Sequence, residues 1–410
     1  MILTATPNPP RAFAALRAPV FRAYFFGAAS AMMADSIEHV ISYWIMFEKF
    51  RSPALAGFAV ISHWVPFLVF SLWSGALADR YDPRRIIQAG MALFMAVSLG
   101  WGVLFLTDSL EMWHAAALLI CHGLAGVLWS PAAQVFIHDI VEEKDLYSAI
   151  RLTATARWLG LLFGPAVGGV ILLVLGPAWG ILFNAAIYLP FIYWLWRAPY
   201  ARKQIPEERR VRAFADVVAT WKAVAHHRII ISMTVLVGGA SLIVGNAYQA
   251  QMPEFAHDLG HGEGGVTYSA LLAADAAGAL VAGLILEGRG LLPPNPRTAL
   301  ALAMAWCLAI GGFAAARSYP LALLLLFAAG FLELAFFAMA QTLVQTNAPP
   351  AVRGRVIGLF VMSALGLRAF SGVTVGLGGS LIGIHWSLAL SAGVLFGLTG
   401  AMIFLARSRR

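Results

Sequence analysis

Asp35, Glu38 and His39 lie together in the stretch ADSIEHVISYW, residues 34 to 44, inside the first long apolar run of the chain. Carboxylates and imidazoles of this kind exchange protons or ligate metal ions, and charge deep in lipid demands a partner, a water-filled path or a neutral form. At about 100° per residue these three and Ser42 fall within an arc of about 100°, a stripe along one helix face. Two neighbouring carboxylates repel each other, which suits one of them to carry a proton. The same three residues offer oxygen and nitrogen donors at helical spacing, the alternative chemistry being divalent metal ligation with further donors from a facing helix. Simpler roles are an ion pair of Asp35 with Arg157, a His39 satisfied by Asp35, and a Glu38 in water nearer the outer surface.

Other polar residues interrupt apolar runs. His63, His122, Asp275, Glu333 and Arg368 fall near the middle of their segments, with Asn184, Asn246 and Gln249 as uncharged partners. Glu333 and Arg368 fall at similar depth and are expected to pair, because burying either alone is costly. Asp275, in LLAADAAGALVAG, is flanked by small residues and reads as a lone protonatable acid. His257 and His261, in PEFAHDLGHGEGG, could touch metal, but glycines break the helical spacing a site needs.

The elements that must hold these residues are membrane helices. The chain has 410 residues, 60% of them hydrophobic and only 12% charged, too apolar for a soluble globular protein. Apolar stretches of about 18 to 26 residues recur, each able to cross a hydrocarbon core of about 30 Å as a helix. The approximate spans are 22–47, 54–78, 86–106, 113–137, 155–176, 179–197, 229–251, 265–286, 299–316, 320–344, 356–381 and 386–406. Only the gap 198–228 is long, so no soluble catalytic domain of ordinary size is expected.

All of the 28 Lys and Arg fall on the side of the N-terminus except Lys49, Arg51, Arg317 and the intramembrane Arg368. Basic residues resist translocation, so both termini are expected in the cytoplasm, and the net charge of +8 reflects topology. Basic residues gathered on a folded domain beside base-reading groups are lacking, which argues against a nucleic-acid partner. Cys121 and Cys307 fall in different spans without metal-ligand spacing. The first apolar run already has spanning length and reads as an uncleaved helix.

The two halves of the sequence align at an offset of about 207 residues, the kind of weak repeat that transporters carry. Gly75 and Asp79 match Gly283 and Glu287, Gln134 matches Gln341, Gly168 falls near Gly376, and Trp179 near Trp386. The expected organisation is an N-terminal six-helix bundle over 1–197, a cytoplasmic linker over 198–228 and a C-terminal six-helix bundle over 229–410. The basic run of the linker, including ARKQIPEERRVRAF, is expected to touch anionic lipid.

The loop GALADRYDPRRII, residues 75 to 87, resembles the signature loop of the major facilitator superfamily, with Asp82 and Pro83 departing from the usual pattern. The resemblance implies that Gly75, Asp79, Arg80 and Arg84 form a cytoplasmic gate that latches the outward-open state. A carboxylate there can face the positive N-terminal end of a neighbouring helix. The segment RWLGLLFGPAVGG looks like the motif of antiporter-type members, with Gly160, Gly164, Pro165, Gly168 and Gly169 forming a small-residue stripe and a weak point for bending. APPAVRGRVIGL and the opening FRAYFFGAASAMMADS are similar to segments of siderophore and macrolide exporters. The fourth-span arginine of many proton-coupled drug antiporters is absent from LLICHGLAG, so coupling must use other groups.

These observations predict an all-α membrane protein with twelve transmembrane helices in two pseudo-symmetric six-helix bundles, the major facilitator fold. The resemblance places the first, fourth, seventh and tenth helices around a central cavity and implies a monomeric secondary exporter in the inner (plasma) membrane. It would exchange protons for a small amphipathic organic molecule, a drug-like compound or siderophore, by alternating access. The expected proton-coupling or cavity residues are Asp35, Glu38, His39, His63, His122, Asp275, Glu333 and Arg368. No cofactor or resident metal is expected, and no nucleotide-binding or hydrolytic motif points to an enzyme. The alternatives are a divalent metal exporter using Asp35, Glu38 and His39, or a non-transporting receptor or lipid scramblase.

Overall fold

The computed structural model describes residues 13–50, 53–198, 213–245, 247–261, 265–289 and 291–408. Its first half contains α1 (Pro19–Phe50), α2 (Pro53–Arg80), α3 (Pro83–Leu106), α4 (Met112–Ile140), α5 (Leu146–Ile187) and α6 (Leu189–Arg197). After α7 (Ala213–Val224) come α8 (Arg228–Ile243), two short helices α9 (Ala247–Ala250) and α10 (Met252–Ala256), and α11 (Gly265–Gly288). The chain ends with α12 (Pro296–Ala314), α13 (Tyr319–Asn347), α14 (Arg353–Ala364), the short α15 (Gly378–Ile382) and α16 (Ile384–Ser408). The described residues contain no strand, and nine of their helical segments are long and apolar enough to cross a membrane. In lipid the backbone must satisfy its own hydrogen bonds, so apolar segments of this length become helices.

Local signals set several starts. Asp82 caps α3 by accepting from the Arg84 amide at 2.9 Å, and Pro83 opens the helix where no amide is needed. Asn295 and Pro296 repeat the device at α12. Large apolar side chains such as Leu173, Val174, Leu381 and Trp386 remain on the outside, the surface that lipid covers.

Four of the expected spans differ in continuity. The fifth joins the sixth in α5, with a kink at Gly176 (φ 72°), and the sixth is itself divided at Tyr188. The seventh, expected over 229–251, stops at Ile243; Gly245 takes a positive φ of 52°, and a Cβ there would lie 2.4 Å from Ser371. The eleventh, expected over 356–381, leaves α-helical geometry after Ala364 and passes through tighter and wider turns before α15. Hydroxyls capture carbonyls around the breaks: Ser241 donates to Ala364 at 2.7 Å, Thr374 to Leu242 at 3.1 Å and Ser371 to Arg368 at 2.7 Å. Apolar residues continue through both breaks, so a hydropathy reading runs straight across them.

Glycines set the closest helix contacts. On α5, Cβ atoms at Gly160 and Gly164 would lie 2.8 Å from Met32 and 2.3 Å from Ser36, and one at Gly168 3.3 Å from Ile37, all on α1. Gly123 on α4 lies against the Ser62 carbonyl and Pro66 of α2, and Gly278 and Gly330 press α11 and α13 together. Because small residues permit such approach, each pair brings the polar groups beside it into reach. Of the expected linker, 198–228, residues 199–212 lie outside the described residues, and α7 occupies its later part.

Candidate transport site

The stripe on α1 meets α2, α3 and α4 at a buried polar cluster. Gly123 draws α4 onto α2, and its neighbour His122 inserts between the two carboxylates of α1. His122 Nδ1 lies 2.7 Å from Glu38 Oε1, and its Nε2 lies 3.0 Å from Asp35 Oδ1. The second contact lacks hydrogen-bond alignment, so Asp35 Oδ1 and His122 Nε2 are close in charge yet without a hydrogen bond. The other Glu38 oxygen accepts from Ser98 on α3 at 2.5 Å, and Asn184 on α5 donates to Ser98 at 3.3 Å. Glu38 is only 2% exposed, which corrects its expected placement in water nearer the surface. His122 at 3.0 Å and His39 at 3.9 Å, rather than Arg157, are the ion-pair partners found for Asp35.

His39 Nδ1 lies 2.8 Å from the Asp35 carbonyl one turn earlier, and its ring stands near those of His63 on α2 and His122. The three rings gather one nitrogen each within 4.8 Å of the others. The facing-helix donors of the metal-ligating alternative are found in His63 and His122 beside His39, while Glu38 holds the far side of His122. A narrow cleft borders the cluster, lined by Glu38, His39, Tyr43, His63, Leu119 and His122. Ser42, the fourth residue of the stripe, turns back to the His39 carbonyl.

A second polar group lies in the other half of the sequence. Glu333 on α13 pairs with Arg368 at 3.4 Å, beside a narrow cleft that Trp306 and Phe337 also line. The Arg368 guanidinium stands over the Trp64 ring at 5.6 Å, reaching from the broken eleventh segment to α2. Asp275 on α11 is not lone: Tyr248 donates to its Oδ2 at 3.4 Å and Gln249 at 3.2 Å, whereas Oδ1 is buried without a hydrogen bond. Gly330 contacts the Asp275 carbonyl, and this approach places Asp275 near Glu333 one turn further along α13. Arg157 feels both Asp35 and Glu333, between the two polar groups. His257 faces Asp258, which also meets His385 at 3.2 Å; the His261 side chain and Asn246 lie outside the described residues.

The expected gate residues divide. Asp79, at the end of α2, accepts from the Gly354 amide at 2.5 Å and the Arg355 amide at 3.0 Å, and lies 3.5 Å from Arg355 Nε. A carboxylate thus meets the amide-rich first turn of α14, where the helix dipole favours negative charge. Gly75 makes the approach possible, since a Cβ there would lie 2.2 Å from the Gly354 carbonyl. Arg84 instead binds Asp82 and the Ala198 carbonyl within its own half of the sequence, and Arg80 is exposed beside Tyr81. The expected grouping of all four at one latch is corrected accordingly.

The repeat supplies a second latch that the motif reading missed. Glu287, at the end of α11, pairs with Arg151 near the start of α5 at 3.1 Å and accepts from Ser148. Gly283 lies against Thr155 as Gly75 lies against Gly354. The alignment of Gly75 and Asp79 with Gly283 and Glu287 carried the signal. In the expected antiporter motif, Gly160, Gly164 and Gly168 face α1, whereas a Cβ at Gly169 would meet nothing within 4 Å. Pro165 lies within α5 without ending it.

Known proteins with this arrangement are transporters. Residues 10–409 match the family model described as transmembrane secretion effector. The chain is 24% identical over 189 residues to the staphyloferrin A transporter of Staphylococcus aureus, covering 45% of this chain and 47% of that protein. It thus spans about half the length of that relative. An enterobactin exporter, EntS, of Shigella boydii is 23% identical over 392 residues, 94% of this chain and 91% of its own. Among solved structures, the human organic anion transporter MFSD10 superposes with a TM-score of 0.74 at 15% identity, covering 93% of this chain and 97% of its own. The Escherichia coli fucose:proton symporter gives 0.72 at 14% identity, with 98% and 100% covered. These two likenesses concern the fold. The match over nearly its whole length assigns this chain to the transmembrane secretion effector family, membrane transporters of the major facilitator fold.

Proposed function

We propose that the chain is a proton-coupled exporter of a small amphipathic organic molecule, working by alternating access in the inner membrane with both termini in the cytoplasm. The observation that carries this reading is the His122 imidazole held between Glu38 and Asp35, buried and bordering a cleft. An imidazole between two carboxylates can hold one proton in several places at little cost in charge separation. His39, His63, Tyr43 and Arg157 complete the charged and titratable surroundings of the cluster. Cargo entering the cleft changes the water and charge around it, which favours release or uptake of that proton and couples the two movements.

The organisation into bundles over 1–197 and 229–410, joined by the linker 198–228, supports rocking of one half against the other around this cleft. The latches at Asp79 and Glu287 then act as the cytoplasmic gate of a single-chain transporter, with the basic linker against anionic lipid. The names of the siderophore-transporting relatives favour a siderophore-like or drug-like cargo. Reconstitution in proteoliposomes with a pH-sensitive dye tests the reading. Addition of a transported siderophore or lipophilic dye should move protons in the opposite direction, and transport without any proton movement would overturn it.

A further inference from the structure

We propose that His39, His63 and His122, with Asp35, form a binding site for a divalent transition-metal ion of the zinc class. The site lies in the cleft of the proposed function and adds a ligand class that organic export does not require. Metal–nitrogen bonds of about 2.0–2.1 Å at tetrahedral angles place three imidazole centroids roughly 5 Å apart. The observed separations are 5.1 Å for His39 and His63, 4.7 Å for His39 and His122, and 5.5 Å for His63 and His122. One nitrogen from each ring lies within 4.8 Å of the others, so modest side-chain rotations bring all three onto one ion.

The polar atoms around the rings are arranged for this purpose. His63 Nδ1 is buried without a hydrogen bond among the described residues, a costly condition that coordination relieves, and His122 Nε2 and Asp35 Oδ1 face each other at 3.0 Å, two donor atoms already drawn together. His122 itself is only 5% exposed. Its Nδ1 is held by Glu38, and His39 Nδ1 by the Asp35 carbonyl, leaving the opposite nitrogen of each ring for a metal. Such a carboxylate behind a metal-binding histidine fixes the ring and raises its basicity. The two charges of the ion are balanced by Asp35 and Glu38, a condition for placing it in a membrane interior. Three imidazoles select zinc, cobalt, nickel or copper over the oxygen-seeking magnesium and calcium.

The test uses the full chain in nanodiscs, with Zn²⁺ measured calorimetrically and Co²⁺ by absorption. One ion per chain is expected, with the intense visible bands of a four-coordinate cobalt site and no competition from Mg²⁺. Glu38→Gln should weaken binding about 10- to 100-fold through the loss of its support to His122. His39→Ala/His63→Ala/His122→Ala should remove that ion entirely. Full binding by this triple variant, or only octahedral cobalt spectra in the wild type, would overturn the site. If the triple variant does not fold, the wild-type cobalt spectrum and the Glu38→Gln affinity still decide. Proton-coupled dye export by a wild-type protein that binds neither Zn²⁺ nor Co²⁺ when they are offered would sink the metal site and leave the proposed function standing; metal binding without proton-coupled transport would do the reverse.

Discussion

Gln134 and Gln341 are counterparts under the internal repeat, and they touch: the Gln341 amide donates to Gln134 Oε1 at 3.2 Å. Gln345 donates to the same oxygen at 2.7 Å, and His138 Nε2 lies 3.2 Å from Gln345 Oε1. Residues related by a pseudo-two-fold meet each other only close to its axis. These side chains on α4 and α13 therefore mark where the two halves of the sequence join.

That junction must open if the halves rock. A neutral hydrogen bond contributes about 0.5–1.5 kcal/mol net, so Gln134→Ala, which removes two, should favour the separated state by roughly 5- to 160-fold. Cysteines at 134 and 341, joined by a short bifunctional reagent, are expected to arrest transport, with activity restored when the bridge is cleaved. Transport at the wild-type rate through an intact cross-link would show that this junction does not separate.

The latches give a second expectation. Hydrogen bonds to a charged group contribute about 1.5–3 kcal/mol, and Asp79 takes two from the first turn of α14. Asp79→Asn should therefore shift the closed-to-open balance at that end by at least about tenfold, read from distances between spin labels placed on α2 and α14 away from the Gly75 contact. Glu287→Gln should act in the same direction. The two latches involve separate residues, so in the double variant the free-energy effects should add; a double variant no more open than either single one would mean that only one latch carries load.

Much of this architecture is legible in the residues alone. The stripe on the first helix and the repeat follow from spacing, because membrane helices impose both length and period, and the gate glycine with its carboxylate follows from the resemblance of the 75–87 loop. The cluster's outer supports do not: Ser98 and Asn184 are ordinary polar residues in apolar helices, and only the packed fold brings them to Glu38. The meeting of His63 with His122 depends on Gly123, whose close approach to α2 involves residues about 60 positions apart. The breaks near Gly245 and after Ala364 escape for another reason, since hydroxyl groups satisfy the backbone there without any drop in hydropathy. The second latch is half legible, since the repeat matches Glu287 to Asp79, while its partner Arg151 falls opposite Gly358 at that offset and is found only in the packed fold.

Glu38 gives a third expectation, on coupling. Glu38→Gln retains the shape and an oxygen for Ser98 but removes the charge beside His122. Cargo-driven proton movement should fall at least about tenfold, equivalent to roughly 1.4 kcal/mol at the step that moves the proton. His122→Ala is expected to cost more stability, because removing one partner of a buried pair typically destabilises by about 3–5 kcal/mol. Unchanged proton flux in a well-folded Glu38→Gln protein would exclude the cluster from coupling.

The glycine-rich segment of α5 offers a test between packing and a direct part in transport. Gly164 and Gly169 belong to the same motif but differ in surroundings: a Cβ at 164 would lie 2.3 Å from Ser36, whereas one at 169 would have no neighbour within 4 Å among the described residues beyond its own stretch of helix. Ser36 neighbours Asp35 on α1, so a larger residue at 164 displaces the helix that carries the cluster. Gly164→Leu should therefore destabilise by about 1–3 kcal/mol, the usual cost of overpacking, and depress transport with it. Gly169→Leu should leave thermal stability and transport near those of the parent, measured side by side in detergent and in proteoliposomes. Equal damage from both substitutions would mean that the motif acts through bending of α5 rather than through its contact with α1.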